Sequence, residues 1–234
     1  MIDVFIDTNI LHSRNEQLDK ALFVEKLKEI IGEIEINDIY TEIKILLPRM
    51  VLNELYQQQL EMFDDLNKRL ENVSMPNMQY DRAFNYGEYL ETIFKKAIME
   101  LKQGIVAVEV VDFPASDRLN SIISRAIKKE PPFEGKEKHS DKGFKDVLIW
   151  ESIKEYKEKH INDIIVFYCN DNLLASNALR KEFKEDFRDE IYIEQKNALM
   201  KRLTTLCNKN ETVKTFSSQL NERIESCLSH NNEI

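Results

Sequence analysis

The chain has 234 residues, 42% hydrophobic and 32% charged with both signs interleaved, which suits one folded domain with a good-sized core and argues against disorder. A net charge of -9 argues against a protein that coats nucleic acid through a basic surface, but does not exclude a nuclease, whose acidic site holds metal while basic residues elsewhere grip phosphate. No apolar run approaches roughly 18 residues and the amino terminus lacks the basic start of a signal peptide, so a cytoplasmic protein is expected.

In chain order, Asp3 to Ile6 reads as a short buried strand, followed by a helical pattern from about Glu16 to Ile31 and a second strand at Lys44 to Leu47. Helices are expected from about Pro48 to Asn72, with Pro48 suited to the first helical position, and from about Asp81 to Lys102. A third strand, Ala107 to Val111, precedes a helix from about Ser116 to Lys129 and a Pro- and charge-rich loop from Lys129 to Lys142. Then come a helix at Phe144 to Lys159, a strand at Ile164 to Tyr168, a helix at about Leu173 to Phe187, a strand at Ile191 to Ile193 and a helical stretch from about Gln195.

Short apolar strands alternating with helices imply an α/β fold: three α/β/α layers around a central, mainly parallel five-stranded sheet. The two long helices between strands two and three exceed what a crossover needs, so residues 53–102 are read as a helical elaboration of a domain spanning about residues 1–195. Residues 196–234 are read as a helical extension packed on that domain. The odd cysteine number (Cys169, Cys207, Cys227), without CxxC spacing, and the scattered histidines (His12, His139, His160, His230) argue against a disulfide scaffold or a zinc site.

An open parallel sheet binds ligands beyond the carboxyl ends of its strands. Asp7 follows strand one in "VFIDTNIL", and Asn170 and Asp171 follow strand four in "IIVFYCND". Glu54 falls in the second turn of the helix after strand two, flanked by Val51 and Leu55 near the buried stripe. Asp146 opens a later helix whose Phe144, Val147, Leu148 and Ile153 are expected to face the sheet. Taken singly, each acid has an ordinary role as turn former, solvated helix residue or dipole partner. Together, four acids at one edge would repel one another unless cations neutralised them, and hard Mg2+ or Mn2+ with oxygen ligands fits that need.

"VFIDTNIL", "LPRMVLNEL", "KDVLIWESI" and "IVFYCNDNLLAS" together, in this order and over about residues 1–195, resemble the PIN-domain nucleases. "KGFKD" and the long middle are similar to the larger bacterial PIN-like branch. The resemblance implies a metal-dependent phosphodiesterase, most often an endoribonuclease, using Mg2+ or Mn2+. On that pattern Asp7, Glu54, Asp146 and Asp171 would be the metal ligands and catalytic acids, with Thr8, Asn9 and Asn170 hydrogen-bonded in support and Asp141 an additional loop acid. Dimerisation is common in that family, although no self-complementary patch is legible; a neutralising or regulatory protein partner is the other expectation.

Between Arg125 and Lys145 basic residues outnumber acidic ones, and Lys142 and Lys145 adjoin Asp146, where they would contact a nucleic-acid phosphate. Trp150 is expected to pack in the core beneath the site, and Phe84, Tyr86, Tyr89 and Phe94 to form a seam between helices. Two alternatives to a nuclease are a noncatalytic PIN-like module binding RNA or protein, and a phosphatase with Asp7 as nucleophile. The phosphatase would require an acid two positions after Asp7, where this chain has Asn9.

Overall fold

In the computed structural model, residues 1–13, 17–71, 84–133 and 142–209 are described. Five strands, β1 (Ile2–Ile6), β2 (Ile43–Pro48), β3 (Ala107–Val111), β4 (Ile164–Tyr168) and β5 (Tyr192–Glu194), form one all-parallel sheet in the order β3-β2-β1-β4-β5. The central strand β1 is buried along its whole length, as expected of a strand covered on both faces.

The helices are α1 (Thr8–Leu11), α2 (Phe23–Ile36), α3 (Arg49–Glu71), α4 (Tyr86–Lys102), α5 (Leu119–Lys128), α6 (Phe144–Lys159) and α7 (Asn177–Phe187); residues 199–209 are also helical. Right-handed crossovers put α2 to α4 on one face of the sheet and α5 to α7 on the other. Aromatic contacts agree: Phe94 meets Phe23 and Tyr56 on the first face, while Phe5 meets Tyr156 and Trp150 meets Phe183 on the second. The architecture is a three-layer α/β/α fold.

Several boundaries differ from the sequence expectation. Pro48 closes β2 instead of opening α3. The second helix begins at Phe23, not near Glu16, because residues 18–22 turn irregularly and are held by distant side chains. Tyr86 and Tyr89 donate to the carbonyls of Leu18 and Asp19, and Gln59 bridges the Lys20 carbonyl and the Leu22 N–H. The helix expected at Leu173 starts at Asn177, since Asp171 organises a turn before it.

On α6 the expected sheet-facing set is corrected. Phe144 is exposed, and Val147 and Leu148 join Ile122 and Phe133 in a small second cluster, while Ile149, Trp150, Ile153 and Tyr156 enter the main core. The α3–α4 pair carries the expected aromatic seam, with Phe63 stacked on Tyr86, and Leu90, Phe94, Ala97 and Leu101 of α4 enter the main core. Leu199, Leu203 and Leu206 of the last described helix pack on the same core. No helix among the described residues is long and apolar enough to cross a membrane.

Candidate active site

The carboxyl edge of the sheet is where β1 and β4 run side by side and the strand order reverses. Asp7 continues β1 by one residue: its N–H donates to the Tyr168 carbonyl at 3.0 Å, and its side chain is buried. Asn9, on the short α1, donates its amide to Asp7 Oδ2 at 3.1 Å. Burial pushes the Asp7 carboxyl up from 3.8 to about 7; the charges of Asp146 and Glu54 push the same way, while the Thr8 and Asn9 N–H groups oppose them. Asp7 therefore feels the charges of Glu54 and Asp146, which come from two other elements.

Glu54 sits in the second turn of α3. Its Oε2 accepts from the Thr8 hydroxyl at 2.7 Å and its Oε1 pairs with the Lys145 ammonium at 2.8 Å. The Thr8 hydroxyl thus serves Glu54, and Thr8 supports Asp7 through its backbone N–H. Asp146 lies in the first turn of α6, half-buried.

The start of α6 is fixed by Gly143, whose φ of 100° lies in the left-handed region and whose added Cβ would come within 2.6 Å of the Pro132 carbonyl oxygen. A glycine here lets the chain pass against Pro132 and Phe133 and so sets the position of Lys145 and Asp146. The glycine of "KGFKD" is the sequence signal for this close approach.

Asp171 stands at the end of β4, beside β1. Its Oδ1 accepts from the N–H groups of Leu173 at 2.7 Å and Leu174 at 3.0 Å, the geometry of a turn former. Asp171 and Asp7 both act on the buried Cys169 thiol, which burial pushes up to about 12. Asn170 and Lys142 are exposed near this edge, and Asp141 and His139 lie outside the described residues.

Sequence reasoning also missed the ion network behind the site. Arg125 is buried and ion-paired with Glu182 and Glu151, and it donates to the Pro131 carbonyl; Lys154 and the Trp150 indole both donate to Glu182, at 2.9 and 3.2 Å. These bonds tie α5, α6 and α7 to the segment leading into Gly143. No single-residue signal marks such a network, because its members lie far apart in sequence.

Hard oxygen donors and a desolvated carboxylate beside two others suit a divalent cation in chemistry. Among the described residues, however, no three His, Cys, Asp or Glu side chains are gathered tightly enough to hold an ion as they stand. The hydrogen bonds give a physical reason: Glu54 is drawn to Lys145 and Thr8, and Asp171 to its own turn.

Fold and site together define a three-layer α/β/α domain presenting carboxylates at the switch point of a parallel sheet. A family model described as PIN domain matches residues 4–174, and the chain belongs to the PIN-domain family. No curated protein and no solved structure matches it. PIN domains are generally nucleases, so this is a nuclease-type module with nucleic acid as its expected ligand.

Proposed function

We propose that the protein is a metal-dependent endoribonuclease. The observation that supports this reading is the buried Asp7 carboxyl at the sheet's carboxyl edge, which feels the negative charges of both Asp146 and Glu54. Asp7, Glu54 and Asp146 would hold Mg2+ or Mn2+, with Asp171 the fourth carboxylate at the neighbouring strand end. Such an ion supplies activation of water and neutralisation of charge on the phosphoryl group.

The chain's own residues do the positioning. Asn9 holds the Asp7 carboxylate by its amide, and Thr8 holds one oxygen of Glu54. Lys145 and Lys142, at the entry to α6, would meet the phosphates of the strand being cut. RNA is favoured over DNA by family tendency.

One observation favours the noncatalytic alternative: the carboxylates are not gathered as they stand, and Lys145 already neutralises Glu54. The phosphatase reading is weakened because the residue two positions after Asp7 is Asn9, an amide donating to Asp7 where that chemistry needs an acid.

Incubation of the purified protein with labelled single-stranded RNA and DNA, in Mn2+ or EDTA, tests the proposal. Cleavage of RNA in Mn2+ that stops in EDTA is expected. Binding without cleavage would give the noncatalytic module, preferential cutting of DNA would change the substrate, and turnover of small phosphomonoesters would restore the phosphatase.

A further inference from the structure

We propose that a groove beside the acidic cluster is a binding site for an unpaired nucleobase adjoining the scissile phosphodiester. The proposal rests on the nuclease reading. The groove, about 800 Å3, lies between α2 and the start of the 199–209 helix, and Asn9 and Asn170 form its end nearest the acids. Register places it: Tyr168 pairs with Ile6, so its ring projects from the face opposite Phe5 and Tyr156, toward α2. The groove therefore opens at the crevice between β1 and β4, where the strand order reverses and open α/β sheets take their ligands.

Its chemistry selects the occupant. Tyr168, Ile10 and Met200, each partly exposed, give it apolar patches that a flat ring can cover, over the buried Ile30 and Leu199. Asn170 and Asn197 add amides, each able to donate and accept as a base edge requires. Its charged groups disfavour phosphate: Lys26 is paired with Glu29 at 2.8 Å, and Glu33 adds a further negative charge beside Tyr168. The backbone phosphates would instead run past Lys142 and Lys145 at the entry to α6. Apolar patches with amides and net negative charge, next to the proposed phosphodiester site, fit the base and not the backbone.

The test is fluorescence anisotropy in EDTA, with dye-labelled single-stranded RNA and DNA, on the wild type and Asn197→Ala/Met200→Ala. The double variant should bind about tenfold more weakly, in line with the loss of one stacked base. Asn197→Ala alone, at an exposed residue, should shift binding in the same direction by less. Strands carrying a single abasic nucleotide, scanned along the sequence, should include one position at which wild type and double variant bind equally. Equal loss with RNA and DNA supports recognition of the base. A loss confined to RNA that persists at every abasic position would assign the groove to the ribose and overturn the proposal. Unchanged binding by both variants would also overturn it. Because EDTA removes cleavage from the readout, failure to cut RNA in Mn2+ would overturn the nuclease reading without altering this result.

Discussion

The ammonium of Lys145 lies 2.8 Å from Oε1 of Glu54, so a cation from the protein's own chain already sits on one carboxylate of the acidic cluster. Lys145 comes from the first turn of α6 and Glu54 from the second turn of α3, and the pair bridges two elements that both frame Asp7. An ion entering the cluster would compete with Lys145 for Glu54 and release it toward the phosphate.

Lys145→Met should therefore separate binding from turnover. Isothermal titration should show Mn2+ binding roughly two- to fivefold tighter, the scale of an exposed ion pair, while the cleavage rate falls. Weaker Mn2+ binding would show that Lys145 does not compete for the cluster.

Gly143→Ala should be destabilising by about 2 kcal/mol or more in urea unfolding, because both its left-handed backbone and the Pro132 carbonyl exclude a Cβ. Gly32→Ala is the control. An added Cβ at Gly32 meets nothing within 4 Å, so alanine in the middle of α2 should stabilise by roughly 0.5–1 kcal/mol.

Asp7 sets a pH dependence of definite sign. Its folded carboxyl is raised to about 7 from 3.8, so between these values the folded chain holds a proton that the unfolded chain has lost. Its contribution to stability is full below about pH 4, falls as pH rises to about 7 and then levels off. In the metal-free protein above pH 7, Asp7→Asn should be more stable by at most about 4 kcal/mol, read from thermal or urea unfolding across pH. Mn2+ should stabilise the wild type and leave the variant nearly unmoved.

Asp3 provides a contrast at the other end of β1. It is fully buried, and burial, then the charge of Asp163, raises its carboxyl above the ordinary range, against the opposing pull of the Lys44 ammonium and the Tyr156 hydroxyl. Asp3→Asn should also stabilise the protein at neutral pH while leaving RNA cleavage unchanged. A stabilised variant with lost activity would link the two ends of the strand.

The sheet was legible because each strand is a short run of Ile, Val and aromatic residues between polar breaks. Strands β3 and β4 fall at the expected residues, and so does helix α6. The orientation of α6 was not legible. It is buried on several sides by the sheet, α5 and α7, and its buried set includes Glu151 and Lys157, so apolar spacing no longer reports which side faces the sheet. The late start of α2 was hidden for a related reason: its preceding turn is satisfied by Gln59, Tyr86 and Tyr89, whose contacts no local pattern encodes.

At the site, strand ends and helix starts pointed to Asp7, Glu54, Asp146 and Asp171. The partners of those acids could not be read from the sequence. That Thr8 turns to Glu54 and Asp171 to Leu173 and Leu174 depends on tertiary approach and loop geometry.

The central claim is most directly tested by single-turnover cleavage of labelled single-stranded RNA across a Mn2+ titration, comparing the wild type with Asp146→Asn. The account predicts saturable Mn2+ dependence in the wild type and a rate lower by at least about a hundredfold in the variant, since loss of a ligand should cost no less than loss of a supporting group. Equal rates for the two proteins, or cleavage that persists in EDTA, would contradict it.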